Sequence, residues 1–196
     1  MTLRVPPQVT RAAEGLGRRR FTMAEVAAMV AAGIIDGDER LELIGGELVP
    51  MEPKGPRHDR LLRALVQRWT EPAEGRRRVV AGSPFRLSLD TFVVPDIVVA
   101  PEPVDTKETS AEDAWLVVEI AEGSRRFDMG RKAKLYGRNG VRELWVIDAA
   151  RMNVRLFREP YPGGYAETRD YDFDEALLPA FAPPEFALRL DMLDLR

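Results

Sequence analysis

Two short apolar runs, "VVPDIVVA" at 93–100 and "WLVVEIA" at 115–121, each enclose a single carboxylate, Asp96 and Glu119. No other feature constrains the fold as strongly. Runs this rich in Val and Ile read as strands covered on both faces. A carboxylate set into such a strand must be compensated by a Lys or Arg, by a bound cation, or by an edge position that water reaches. Alternation along "WLVVEIA" puts Trp115, Val117 and Glu119 on one face and Leu116, Val118 and Ile120 on the other. Asp96 follows Pro95 at the start of "DIVV", where an adjacent strand would bring its carboxylate beside that of Glu119. Two acids so placed repel unless one is protonated, a Lys or Arg lies between them, or a hard cation such as Mg²⁺ or Mn²⁺ binds both.

The segment "SRRFDMGRKAKLYGRNG" after the second acid reads as a helix ending near Gly140. Steps of four lead from Asp128 to Lys132 and on to Tyr136, with Leu135 on the same side, so Lys132 emerges on the stripe that packs against the sheet. Arg131, Lys134 and Arg138 form a separate basic strip facing solvent. Two acids, an inward lysine and an outer basic strip are what phosphodiester cleavage uses: a metal-bound water, a lysine to orient it, and cations to hold the nucleic-acid backbone. Each residue also has a plainer reading. Asp96 suits a strand-end acid that bonds backbone amides, Glu119 a partner of Arg125 or Arg126, Lys132 a side chain snorkelling past the sheet edge, and the basic strip a solvated helix face.

The rest of the chain frames this arrangement. The first twenty residues read as a loosely attached basic arm, and residues 21–196 as a single domain, in keeping with a length of 196. Thr22 and Glu25 have capping-box spacing at the start of a short helix ending at Gly33. "RLELIGGELVP" reads as a hairpin turning at Gly45-Gly46, with Glu42, Ile44, Glu47 and Val49 on one face. "PRHDRLLRALVQRWTEP" is an amphipathic helix with Leu61, Leu62, Leu65 and Trp69 as its stripe and His58 at its surface. "RRVVAG", "FRLSL", "FVVPDIVVA", "AWLVVEI", "VRELWVID", "NVRLFRE" and "GYAETRD" read as strands, the last two paired across "PYPGG". The proline-broken tail "LLPAFAPPEFALRLDMLDL" wraps the core or supplies an interface. Helices interrupting runs of strands imply an α/β fold with a mixed β-sheet flanked by helices, preceded by the N-terminal helix and hairpin.

Composition narrows the chemistry. Cysteine is absent and His58 is the single histidine, which excludes disulfides, thiolate chemistry and a multi-histidine zinc site within one chain. Any metal is therefore held mainly by oxygen. A net charge of −3 argues against a surface that grips nucleic acid everywhere, while the clusters "GRRR", "GSRRF" and "GRKAKLYGR" leave room for a local basic site. The sequence offers neither a membrane span nor a secretory leader, so a cytoplasmic location is the expectation.

Taken in order, "ELIGGELVPMEP", "RHDRLLRAL", "VPDIVV", "LVVEI" and "RRFDMGRKAKLYGRNGVRELWVIDA" resemble the Uma2 family, from about residue 22 to the C-terminus. That family belongs to the PD-(D/E)xK nuclease superfamily, with a restriction-endonuclease-like core. The resemblance implies a divalent-metal-dependent endonuclease acting on DNA, with Asp96 and Glu119 as metal-binding acids. The familiar lysine two residues beyond the second acid is missing, since that position is Ala121. In its place the resemblance implies that Lys132 is supplied from the following helix. Glu42, Glu47 and His58 match recurrent polar positions of the family, and Glu47 is taken as an additional acid near the metal. Superfamily enzymes that cut both strands often pair, so a homodimer is expected. Two other functions fit the same residues: a nucleic-acid- or protein-binding scaffold that keeps the fold without the reaction, and a metal-dependent phosphoesterase acting on RNA or nucleotides.

Overall fold

The computed structural model describes residues 15–70, 77–102, 109–122 and 126–195. It divides into two compact units. One comprises the described part of Met1–Glu52 with Ser88–Phe92, and the other Pro53–Leu87 with the described part of Val93–Arg196.

In the first unit, α1 (Met23–Ala31) begins at a reciprocal cap. The Glu25 N–H donates to Thr22 Oγ1 at 3.3 Å, and the Thr22 N–H donates to Glu25 Oε2 at 2.9 Å. The strands β1 (Leu41–Ile44) and β2 (Glu47–Pro50) pair with Glu42 opposite Val49 and Ile44 opposite Glu47, the shared face that the alternation predicts. Their turn needs two residues at positive φ, and Gly45 and Gly46 supply +59° and +83°. A side chain at Gly46 would also strike the Arg20 backbone, its Cβ falling 2.8 Å from Arg20 Cα. Residues 15–20, read as part of a loose arm, are exposed yet tethered. Arg18, Arg19 and Arg20 pair with Glu47, Glu25 and Asp90, and the Phe21 N–H donates to the Gly46 carbonyl at 2.9 Å. Residues 1–14 of the expected arm lie outside the described residues.

The second unit is built on one six-stranded mixed sheet. Downstream of α2 (Pro56–Thr70) the chain forms β3 (Arg77–Ala81), β4 (Phe85–Ser88), β5 (Thr91–Val93), β6 (Ile97–Pro101) and β7 (Leu116–Ala121). The helix α3 (Arg126–Arg138) follows, then β8 (Glu143–Asp148), β9 (Asn153–Tyr161) and β10 (Gly164–Tyr171). The sheet order is β10-β9-β8-β7-β6-β3. All neighbours run antiparallel except β7 and β8, which α3 joins by a crossover. "FVVPDIVVA" was expected as one strand and instead divides into β5 and β6. Pro95 has no N–H to give a ladder, and the break falls at Val94–Asp96.

Alternation along the strands feeds two layers. Ile97, Val99, Leu116, Val118, Ile120, Trp145, Ile147, Val154 and Leu156 line one face and pack with Leu61, Leu65 and Trp69 of α2. The C-terminal tail closes this layer: Leu177, Phe186, Leu188 and Leu190 are buried in it, and the Phe186 ring stands edge-on to Trp69 at 5.7 Å. Within "LLPAFAPPEF", Leu177, Ala182 and Phe186 cover this unit's own core, while Leu178 and Phe181 are exposed. The opposite face takes α3, whose Tyr136 is fully buried and lies 6.4 Å from the Phe85 ring. Among the described residues no helix is long and apolar enough to cross a membrane.

The helix α3 approaches the β9–β10 turn so closely that Gly137 leaves no room for a methyl group: its Cβ would lie 2.2 Å from the Gly164 carbonyl oxygen. Gly130, in the same helix, faces open space. Gly137→Ala is therefore expected to lower unfolding free energy by about 1–3 kcal/mol, the overpacking cost exceeding the helix-propensity gain of about 1 kcal/mol. Gly130→Ala should raise it by roughly 0.5–1 kcal/mol. Urea unfolding of the two variants checks this pair, and a stabilised Gly137→Ala would mean that α3 does not sit so tightly on the turn.

Candidate functional site

Where β6 and β7 begin to part, the side chain of Asp96 takes over from the backbone. The β6–β7 register pairs Ile97 with Val118, so one step further sets Asp96 opposite Glu119. Asp96 Oδ2 accepts the Ile120 N–H at 2.7 Å, while its own carbonyl accepts the Gly82 N–H at 3.2 Å. Asp96 and Glu119 are both almost wholly buried, and they are reached from the two sides of the sheet.

From the α2 side come Lys54 and His58. Lys54 Nζ donates to Asp96 Oδ1 at 3.1 Å, and His58 Nε2 lies 2.8 Å from the same oxygen. His58 Nδ1 is 3.0 Å from Asp59 Oδ1, so the imidazole stands between two carboxylates, with one ring nitrogen facing each. The sequence reading placed His58 at the surface, but it is 2% exposed. Its position is set by the first turn of α2, where Glu122 Oε2 accepts the His58 N–H at 3.3 Å. Gly55 admits this cap, since a Cβ there would lie 2.2 Å from Glu122 Oε2.

From the α3 side come the side chains that the four-residue step predicts. Tyr136 donates its hydroxyl to Glu119 Oε1 at 2.7 Å, and Lys132 Nζ lies 3.3 Å from that oxygen. Lys54 and Lys132 are similarly accessible, at 18% and 19%. Arg131, Lys134 and Arg138 are exposed along α3, as read from the sequence. Glu42 and Glu47 belong to the first unit. Glu42 is buried, whereas Glu47 is 54% exposed and 3.1 Å from Arg18. Arg125, one alternative partner for Glu119, lies outside the described residues, as do the side chains of Arg126 and Asp128.

The two acids have opposite proton affinities. Burial pushes Glu119 up to about 7; the Lys132 charge opposes this, and the charge on Asp96 adds to it. Burial pushes Asp96 up as well, but the His58 bond, the charges of Lys54 and His58 and the Ile120 amide overrule it and hold the acid down at about 2. Burial lowers the proton affinity of His58, and its bond to Asp96, the Asp96 charge and its bond to Asp59 together outweigh that and raise it. Neighbouring carboxylates thus sit at different protonation set points.

The acid pair fits a small divalent cation. Both donors are hard carboxylate oxygens, Glu119 Oε2 takes no part in the bonds that hold Oε1, and Asp96 Oδ2 accepts one N–H. Among the described residues no group of three or more His, Asp and Glu side chains is arranged to hold a metal. A Mg²⁺ site needs no such cage, because one or two carboxylates suffice when water and phosphate oxygens complete the octahedron.

The sheet, with its single parallel crossover, an acid just before β6 and another in β7, has a restriction-endonuclease-like fold. Residues 26–192 match the model of the Uma2 family, described as "Putative restriction endonuclease", and the chain belongs to that family. The fold is shared with a crystal structure from Anabaena variabilis ATCC 29413, titled as a "putative nuclease belonging to DUF820". The TM-score is 0.61 at 18% identity, covering 87% of this chain and 96% of that one. No curated protein matches the sequence.

These set points make stability depend on pH. Glu119 has a folded value near 7 against an ordinary 4.5, so the folded state binds the extra proton and stability is lost as pH rises through that window. The raised His58 adds a loss in the same direction above its ordinary 6.5. Asp96 acts oppositely, its contribution being present above 3.8 and lost as pH falls through about 2. In EDTA, the stability of wild type relative to Glu119→Gln is expected to fall by roughly 1–3 kcal/mol between about pH 5 and 7.5. Chemical denaturation across that range is the check; a constant difference would mean that Glu119 titrates as an ordinary carboxyl group.

Proposed function

We propose that this protein is a divalent-metal-dependent endonuclease that hydrolyses DNA phosphodiester bonds at the Asp96–Glu119 site. The single observation that carries the reading is the convergence of two buried carboxylates and a part-exposed lysine, Lys132, on one strand end. Asp96 and Glu119 hold the metal, Mg²⁺ or Mn²⁺. Bound there, it supplies Lewis-acid charge for a phosphate and acidifies its water.

The chain's own groups do the rest. Tyr136 and Lys132 fix Oε1 of Glu119, leaving the other oxygen to face a ligand. The Lys132 ammonium orients the attacking water and offsets the charge that grows on the non-bridging oxygens. As the water oxygen bonds to phosphorus it gives up a proton to solvent, the bond to the leaving oxygen breaks, and that oxygen takes up a proton from solvent. The exposed Arg131, Lys134 and Arg138 give the backbone grip that fixes the register of the DNA.

Single-turnover cleavage of supercoiled, linear and single-stranded DNA with Mg²⁺ or Mn²⁺ is the test. Wild type is expected to cut, Lys132→Ala to lose roughly 10²–10³ in rate, and Glu119→Gln to lose both cleavage and calorimetric Mn²⁺ binding. Intact DNA in every lane, or variants as fast as wild type, would leave a scaffold with a nuclease fold as the better description. Cleavage of RNA or nucleotides alone would favour the phosphoesterase.

Cutting both strands of a duplex asks for two sites related by a two-fold axis, and a homodimer is part of this proposal. The exposed Leu178 and Phe181 supply apolar surface for it. Light scattering at micromolar concentration is expected to give twice the 22.1 kDa chain mass; a strictly monomeric species removes the dimer from the proposal.

A further inference from the structure

The site carries a second ammonium that the reaction as written does not use. Lys54 sits in the irregular segment before α2, and its Nζ lies 3.1 Å from Asp96 Oδ1. It mirrors Lys132: each lysine pairs with one of the two acids, each comes from a different side of the sheet, and each keeps about a fifth of its side-chain surface in solvent. His58, which bonds the same oxygen, is sealed from solvent. Asp96 therefore has a buried partner in His58 and a further donor in the Ile120 amide, and Lys54 is the partner that reaches outward.

We infer that Lys54 is a phosphate-contacting residue of this site, placed to bind the DNA strand at the acid pair from the side opposite Lys132. The inference rests on the endonuclease reading and extends it to a residue outside the two acids and α3. Three observations bear on it. The Lys54 ammonium lies 3.1 Å from Asp96 Oδ1 and keeps 18% of its side-chain surface in solvent. Its stem is anchored where Gly55 packs against Glu122 at the start of α2, which fixes the base of the side chain without burying its tip. Its bond to Asp96 is a point-charge contact through a rotatable ammonium, which can turn one N–H toward a phosphate oxygen and keep another on the carboxylate.

Ion pairing with phosphate leaves a signature that a structural role does not: each neutralised phosphate contributes a slope of about −0.9 to log K against log salt. The experiment measures that slope in EDTA for a 30-base-pair duplex, using Glu119→Gln as the parent so that no strand is cut. Lys54→Met and Lys54→Gln in that background are expected to flatten the slope by roughly one contact, and Lys54→Arg to restore it. Lys54→Gln keeps an amide in reach of Asp96 and carries the comparison if Lys54→Met does not fold, which thermal melting reports. In the Glu119-containing protein, Lys54→Met should lower single-turnover cleavage at least tenfold while calorimetric Mn²⁺ binding persists. If the parent binds DNA and the slope is unchanged in both neutral variants, Lys54 serves Asp96 alone and this inference falls while the endonuclease reading stands. If the parent does not bind DNA at any salt concentration, both fall together.

Discussion

The bond from the Ile120 N–H to Asp96 Oδ2, at 2.7 Å, is the contact on which the rest of the site depends. The β6–β7 ladder ends at Ile97, because the residue before Asp96 is a proline and the chain cannot continue the strand backwards. An unpaired amide at that buried point would cost on the order of 1–3 kcal/mol. A carboxylate side chain, not a backbone carbonyl, satisfies it, so the interaction that finishes the sheet also fixes a negative charge beside Glu119. Stability and placement of the acid have one cause. An apolar residue at 96 would leave an amide without its acceptor, and an acid one position along would point into the α2 layer.

Charge next to charge in a buried place then dictates the surroundings. Desolvation of two carboxylates costs several kcal/mol each, and their repulsion adds to it. The chain answers asymmetrically. Asp96 receives two cationic donors and an amide and stays ionised; Glu119 receives one lysine at a longer distance and a phenol, and its proton affinity rises. One acid is thus a permanent anion and the other sits near the midpoint of its titration at neutral pH. Both lysines remain partly in solvent, which lowers the cost of keeping them charged.

Much of this was legible in the sequence because it follows from periodicity. The alternation in "WLVVEIA" and the four-residue step in "GRKAKLY" together place Glu119, Lys132 and Tyr136 on facing surfaces, and the contacts agree. His58 was misread because Pro56, Arg57 and Asp59 around it are exterior residues. Yet 58, 61, 65 and 69 advance by three and then by four, so the histidine lies on the stripe of Leu61, Leu65 and Trp69, and that spacing was the signal. Lys54 gave no signal of this kind. It stands in irregular backbone, where neither the helical nor the strand period relates one side chain to another, and only the pairing of distant segments brings it to Asp96. The division of "FVVPDIVVA" into two strands was readable from Pro95 alone, but the apolar run around it outweighed the proline in the reading.

The displacement of the lysine from the strand to α3 also has a physical reading. Ala121 shares the face of Glu119, is buried, and lies where β7 and β8 are still paired, opposite Asp148. A lysine at 121 would have to extend along the sheet surface beneath α3 and lift its ammonium back toward Glu119. From α3 the geometry is simpler. Lys132 and Tyr136 are one helical turn apart, so both reach down to the same carboxylate oxygen from one rigid element, and the phenol, fully buried, sets the depth at which the helix rides. The close seat of Gly137 on the β9–β10 turn fixes that helix from its other side. The position of the ammonium is therefore determined by helix packing and not by a strand rotamer. A disturbance as distant from the acids as the Gly164 turn would be felt first at the Lys132–Glu119 contact, whose 3.3 Å separation leaves it the loosest of the bonds around the two acids, apart from the helix cap.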